Sequence, residues 1–252
     1  MKAVLVTGAA RRLGRAIALD LAADGWDVAI HYNNSDADAA SAAEEVRKAG
    51  VRATTVKADL SREDETTTII ARAVAGIGPL TALVNSASLF ENDDWQTATR
   101  ASWDKHMAVN LRAPFVLSQA FARQLPDGQD GAIVNLLDQR LFKPGPQFLS
   151  YSLSRSGLHW LTTTLAQALA PRIRVNAVAP GPTLKAAAQS PADFAHEQRS
   201  TILGHGSDPA DISGAVRYLL AARAVTGQTV AVDGGQHLIW KTIDRSEAQN
   251  GF

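Results

Sequence analysis

Seven short apolar runs rich in β-branched residues recur along the chain, and longer alanine-rich segments lie between them. The runs occupy residues 2–7, 26–32, 52–57, 80–85, 131–137, 173–178 and 229–232. Each is long enough to cross a sheet once, and near-continuous hydrophobicity marks a strand covered on both faces. The segments 12–23, 36–49, 63–75, 102–124 and 154–170 carry apolar residues at helical spacing. Parallel strands need a crossover of about a dozen residues or more, and such crossovers are right-handed. The pattern predicts an α/β fold: a doubly wound, Rossmann-like, seven-stranded parallel sheet with helices on both faces.

The 252 residues suit one such domain, and no Pro-, Gly- or Ser-rich linker divides them. The expected domain is 1–240, with 241–252 as a polar tail or subunit contact. Pro180-Gly181-Pro182 opens the least regular stretch, which runs to about residue 207. It follows the carboxyl end of a strand, where open α/β sheets place substrate loops. Lys plus Arg and Asp plus Glu both total 25, so no net field draws the chain to nucleic acid or an anionic membrane. Small molecules and its own subunits are the expected partners. Absence of cysteine excludes disulfides, thiolate metal sites and cysteine nucleophiles, and fits a reducing compartment. The opening apolar run is too short for a signal-peptide core or membrane span, which places the expected location in the cytoplasm. The six histidines lack metal-ligand spacing, so no metal is expected.

The first run ends in Thr7-Gly8-Ala9-Ala10-Arg11-Arg12-Leu13-Gly14 and leads directly into a helix. Glycine at 8 permits a tight turn, glycine at 14 permits helix against sheet, and the helix start offers N–H groups to a diphosphate. Arg12 stands where the middle glycine of the usual dinucleotide pattern would be. The second run ends in His31-Tyr32-Asn33-Asn34-Ser35, with no acid before Asp36. An NAD-preferring site carries an acid there for the ribose 2′-hydroxyl, whereas amide and hydroxyl donors accommodate a 2′-phosphate. NADP(H) is therefore the expected cofactor, although no arginine stands in that cluster. Asp59, before Leu60 and Ser61, reads equally as an adenine ligand and as a helix cap.

Thr7-Gly8 to Gly14, Asn85-Ser86-Ala87-Ser88, Asn110, Tyr151-Ser152-Leu153-Ser154-Arg155, Pro180-Gly181 and Val232-Asp233-Gly234-Gly235 form an ordered set across nearly the whole chain. Together they resemble the short-chain dehydrogenase/reductase family. Within it, the arginine-bearing first turn, His-Tyr-x-x-Ser after strand two, Ala-Ser-x-Phe at 87–90 and an Asp in place of the usual Ser are similar to the pteridine and dihydromonapterin reductases. The resemblance implies Tyr151 as proton donor, Asn110 as a residue that steadies a water and nearby backbone, and Asp138 as the acid thirteen residues before the tyrosine. Residue 155 is usually lysine, which binds the nicotinamide ribose and lowers the tyrosine pKa; here it is Arg155. The implied cofactor residues are Gly8, Arg12, Leu13, Gly14, His31, Tyr32, Asn33, Asn34, Ser35, Asp59, Leu60, Asn85, Ala87, Ser88, Tyr151, Arg155, Pro180, Gly181 and Thr183. The implied substrate residues are Arg12, Ser88, Phe90, Asp138, Tyr151 and Pro182, and the family's usual assembly implies a homotetramer.

Hydride transfer leaves negative charge beside the attacked carbon, so a proton must arrive there. Tyrosine can deliver it when a cation stabilises tyrosinate. Arg155 keeps the cation but cannot relay a proton, since guanidinium stays charged. An ionised Asp138 would oppose charge growing on a ketone oxygen, whereas a ring C=N flanked by N–H donors suits a carboxyl group. Phe90 could stack such a flat ring or simply anchor its loop. The leading expectation is an NADPH-dependent reductase of a pterin-like heterocycle. A reductase of another carbonyl or imine, and a non-catalytic NADP(H)-binding sensor, remain as alternatives.

Overall fold

The computed structural model describes residues 2–186 and 189–240, so the expected tail at 241–252 lies outside the described residues. Seven strands form one sheet: β1 Ala3–Val6, β2 Asp27–Tyr32, β3 Ala53–Lys57, β4 Ala82–Asn85, β5 Gly131–Leu136, β6 Ile173–Pro180 and β7 Thr229–Val232. Their order is β3-β2-β1-β4-β5-β6-β7, and every pairing is parallel. The order reverses between β1 and β4, which opens a crevice at the carboxyl ends of those strands.

Nine α-helices stand among the described residues: α1 Arg12–Ala23, α2 Asp36–Lys48, α3 Glu63–Thr66, α4 Ile69–Ile77, α5 Arg100–Met107, α6 Ala113–Gln124, α7 Leu149–Leu169, α8 Pro191–Arg199 and α9 Pro209–Ala221. Alternate strand residues feed two cores, one per sheet face. Val4 and Val6 of β1 pack with Ile17 and Leu21 of α1 and Val216 and Leu219 of α9. Ala3 and Leu5 pack on the other face with Ile69 and Ile77 of α4, Leu117 and Phe121 of α6 and Leu165 of α7. Among the described residues, no helix is long and apolar enough to cross a membrane.

Four expected elements differ in detail. The helix expected over 63–75 is two helices, α3 and α4, broken at the threonine run 66–68, whose hydroxyls bond back to carbonyls. The helix expected over 102–124 starts at Arg100 under a Thr99–Ser102 capping box and contains a π-helical turn, Ala108–Arg112. Helix α7 begins at Leu149, five residues before the expected start, which places Tyr151 in its first turn. The irregular stretch after β6 holds α8, started by Ser190, whose hydroxyl accepts from the Asp193 N–H, and by Pro191.

Candidate active site

The turn from β1 to α1 is shaped by contacts that only small residues permit. Gly8 has φ +66°, and a Cβ there would lie 3.0 Å from the Ala87 Cα; one on Gly14 would lie 2.4 Å from the Gly8 oxygen. The buried Thr7 hydroxyl accepts from the N–H groups of Ser86 and Ala87, at 2.9 and 3.0 Å, and so ties this turn to the end of β4. Arg12 has φ 52°, a left-handed conformation at the position where glycine would be at ease. Among the described residues no side chain caps the start of α1, so its first N–H groups are not spent on a cap, and a helix start of that kind suits an anion.

His31 lies beneath the turn, 2% exposed. Its Nδ1 accepts from the Gly8 N–H at 3.2 Å, which leaves Nε2 to donate to the Ala58 carbonyl at 3.1 Å. Burial pulls its pKa down to about 4 against the bond to Ala58. The ring is thus a neutral strut for the cradle. Tyr32 bonds Asp36 through its hydroxyl, while Asn33 and Asn34 stand exposed and Ser35 half-buried after β2. No arginine stands in the cluster itself; Arg11 of the first turn reaches the neighbouring helix α2 at Asp38, with N···O 3.6 Å. Lys57, beside Tyr32 in register, pairs with Asp36 at 3.0 Å. Asp59 turns its carboxylate onto the N–H and hydroxyl of Ser61, at 2.9 and 2.7 Å, while Leu60 is buried. Asp59 therefore closes a local turn ahead of α3, whose N-cap is Arg62.

Beyond β4, the loop carrying Ser88 and Phe90 is fixed from two sides. Asn110, fully buried in the π-helical turn, accepts from Leu89 N–H and donates to Leu89 carbonyl, both at 2.9 Å. Its amide also reaches Ser154 Oγ at 3.1 Å, and Ser154 donates to the Tyr151 carbonyl. A π-turn aims the asparagine inward at a register an unbroken helix would not give. Asp93 accepts from the Ser150 N–H at 2.9 Å and from the hydroxyls of Ser150 and Ser102 at 2.5 and 3.1 Å. Burial opposes its ionisation, but the bonds from Ser150 and Ser102, with the nearby His106, together hold the carboxyl below its usual range. A carboxylate at the start of α7 also suits the helix dipole. Asn85 is buried and spends its amide N–H on Asn135 at 2.8 Å. Ser88 is exposed.

Tyr151, Asp138 and Arg155 converge at the centre. The Tyr151 hydroxyl donates to Asp138 Oδ2 at 2.9 Å. Arg155, 2% exposed, donates through Nη1 to the Leu136 carbonyl at 3.0 Å and lies 5.5 Å from the Tyr151 ring centroid. Burial first, then the Asp138 charge, drive the Tyr151 phenol well above its usual range, and Arg155 opposes them. The Arg155 Nε is buried without a hydrogen-bond partner among the described residues. That orphaned donor beside the phenol fits a ribose hydroxyl, and with the uncapped α1 it fits a dinucleotide along the crevice. Phe90 meets the Tyr151 ring edge-on at 4.7 Å. Past β6, Gly181 donates its N–H to the Val232 carbonyl, Pro182 is buried, and Thr183 bonds the Gly181 carbonyl and Ser207 hydroxyl. The Arg12 guanidinium donates to the carbonyls of Leu184 and Lys185, at 3.3 and 3.0 Å, and so spans the crevice.

Sequence reading missed Arg140, Phe148, Arg11 and the Asp93–Ser150 clamp. Arg140 lies two residues after Asp138 and ion-pairs with it at 3.2 Å. Phe148, three before Tyr151, stacks on Phe90. Proximity in sequence to an expected residue was the available signal for both.

A parallel sheet reversing at β1/β4, with a glycine cradle at that point and a buried tyrosine and cation beside it, defines a nucleotide-dependent oxidoreductase site. Residues 2–194 match the short chain dehydrogenase family model, and the chain belongs to that family. The 3-oxoacyl-[acyl-carrier-protein] reductase FabG of Staphylococcus epidermidis is 33% identical over 94% of this chain and 99% of its own length. The FolM alternative dihydrofolate reductase 1 of Brucella canis, complexed with NADP, is 45% identical, covers 97% of both chains and superposes with a TM-score of 0.94. That of Brucella suis, also with NADP, is 46% identical at the same TM-score, over 97% of this chain and 98% of its own.

Proposed function

We propose that this oxidoreductase uses NADPH to reduce the ring C=N of a dihydropterin-type heterocycle, with Tyr151 as the proton donor. The observation that carries the reading is the Tyr151 hydroxyl on Asp138 Oδ2 at 2.9 Å, because a carboxylate there accepts from ring N–H and amino donors. NADP on the Brucella relatives, and the reductase activity their name gives them, support it.

The start of α1 would take the diphosphate, Asn33, Asn34 and Ser35 the 2′-phosphate, and Arg155 the ribose next to the nicotinamide. Bound NADPH supplies the hydride. Tyr151 delivers its proton to the ring nitrogen, and Arg155 steadies the tyrosinate left behind. Because guanidinium does not shed its proton, Tyr151 is recharged from water rather than through residue 155. Asp138 orients the ring by accepting its N–H groups, and Phe90 offers it an aromatic face. Asn110 keeps Phe90's loop in register through Leu89.

A second reading comes from the FabG relatives: reduction of a 3-oxoacyl thioester. Asp138 opposes it, since a carboxylate cannot donate to a ketone oxygen gaining charge. NADPH oxidation measured with a panel of dihydropterins and an acetoacetyl thioester tests both. Turnover of the thioester and of no dihydropterin overturns the proposal.

A further inference from the structure

Arg140 belongs neither to the helix of the proton donor nor to the nucleotide cradle, yet it contacts the partners of both Tyr151 and Phe90. It sits in a short 3₁₀ turn, Gln139–Leu141, whose N-cap is Asp138. Its backbone N–H donates to Asp138 Oδ1 at 2.9 Å, and its Nη1 lies 3.4 Å from Oδ1 and 3.2 Å from Oδ2. The Tyr151 hydroxyl donates to that same Oδ2. The guanidinium carbon is 5.0 Å from the Phe148 ring centroid and 5.5 Å from that of Phe90. With side chains 27% and 15% exposed, the Arg140–Asp138 pair is shielded from solvent, unlike the ordinary surface pairs of this chain.

We propose that Arg140 is a positioning residue for the reduction: it holds Asp138 turned onto the Tyr151 hydroxyl and keeps that carboxylate partnered when the hydroxyl leaves it for the substrate. The inference rests on Tyr151 being the proton donor. In the resting arrangement the phenolic proton faces Asp138, so delivery requires the hydroxyl to turn to the ring nitrogen. There the O–H bond breaks, an N–H bond forms, and the electron pair of the O–H bond stays on the tyrosine oxygen. Tyrosinate and carboxylate then stand a few ångströms apart, and like charges that close in a shielded site repel strongly. Two cations answer two anions. Arg155 lies by the tyrosine ring and is held to the Leu136 carbonyl, which leaves Asp138 to Arg140. A lysine would preserve the charge without the fixed fork, and a methionine would preserve only the stem packed near Phe148.

The test compares the native protein, Arg140→Met and Arg140→Lys by dihydropterin reduction, NADPH affinity and the ¹⁹F spectrum of protein carrying 3-fluorotyrosine. Absence of one resonance in Tyr151→Phe assigns the Tyr151 signal among the three tyrosines. Arg140→Met is expected to lose about tenfold or more in kcat with NADPH Kd changed less than about twofold, as befits a group acting through the proton donor. Its Tyr151 resonance should move, and Arg140→Lys should recover part of the rate and return the resonance toward its native position. Native kcat with an unmoved resonance in Arg140→Met overturns the proposal, as does an Arg140→Lys no better than Arg140→Met in either measurement. Should the native protein reduce no dihydropterin, the proposed substrate fails by itself, and the ¹⁹F comparison alone then decides the role of Arg140.

Discussion

Phe90 and Phe148 stack face to face, their ring centroids 4.4 Å apart and their planes within 5°. They come from different elements, the loop after β4 and the residue before α7, and Phe148 holds φ 57° to make the contact. Its N–H donates to Asn92 Oδ1 at 3.1 Å, so the left-handed backbone is held by the same loop that carries Phe90. Tyr151 meets the stack edge-on and Arg140 lies over both rings. The proposed proton donor, the carboxylate beside it and an aromatic surface are therefore one packed unit, and the site's geometry depends on the loop between β4 and α5.

If Phe90 provides the face for the heterocycle, Phe90→Ala should weaken dihydropterin binding by about 1–3 kcal/mol, the scale of a lost aromatic stack and its burial. NADPH affinity should change far less, because the cradle is built from β1, α1 and β2. Steady-state kinetics with each substrate varied in turn separate the two. Unchanged dihydropterin KM and kcat would remove Phe90 from the substrate site.

Cofactor choice should follow charge at the end of β2. Asn34→Asp places a carboxylate beside the proposed 2′-phosphate position, so the NADPH preference should be erased or reversed. Arg11, which reaches α2 at Asp38, gives a complementary test: Arg11→Ala should weaken NADPH more than NADH. Fluorescence titrations of both cofactors measure this. Equal affinities for NADPH and NADH in the native protein would contradict the assignment.

His31 makes the cradle sensitive to acid. Its pKa falls from an ordinary 6.5 to about 4 in the folded chain, because burial penalises the charged ring. The unfolded state therefore binds more protons between those values, and stability falls as pH drops through that window. The contribution is complete above pH 6.5 and lost by about pH 4, roughly 2–4 kcal/mol in all. Denaturant midpoints of the native protein and His31→Gln measured from pH 8 to 4 report it. The native curve should fall more steeply between pH 6.5 and 4, and parallel curves would show that His31 is not the titrating strut.

The parallel sheet was legible because a strand buried on both faces must be apolar throughout, as Ala82–Asn85 and Gly131–Leu136 are. The cradle was legible because backbone approach restricts positions 8 and 14 to small residues. Much of the substrate side was not. Helix propensity alone could not announce that Asn110 sits in a π-turn, nor that Thr66–Thr68 divides a helix. Arg140 and Phe148 lie near Asp138 and Tyr151 in sequence, but their contacts with Phe90, fifty or more residues earlier in the chain, are tertiary, and no local pattern encodes those. Arg11 escaped notice because the fold, rather than the sequence around Asn34, brings it to α2.

Arg155 is the position at which this chain departs from the family's usual lysine, and its surroundings define what the substitution should do. The guanidinium is buried, bonded to Leu136 through Nη1, set near the Tyr151 ring and left with an Nε that has no partner among the described residues. Arg155→Met should leave almost no activity, since it removes both the donor for the ribose and the charge that opposes burial and Asp138 at Tyr151. Arg155→Lys should retain activity or raise it, because an ammonium is compact, cationic and able to pass a proton. The two contributions separate in the kinetics. If Arg155 tunes Tyr151, Arg155→Met moves the alkaline limb of the kcat profile upward, since losing a neighbouring cation makes the phenol harder to ionise. If it only holds the ribose, NADPH KM rises and the limb stays where it was. Full activity in Arg155→Met would take residue 155 out of the reaction altogether.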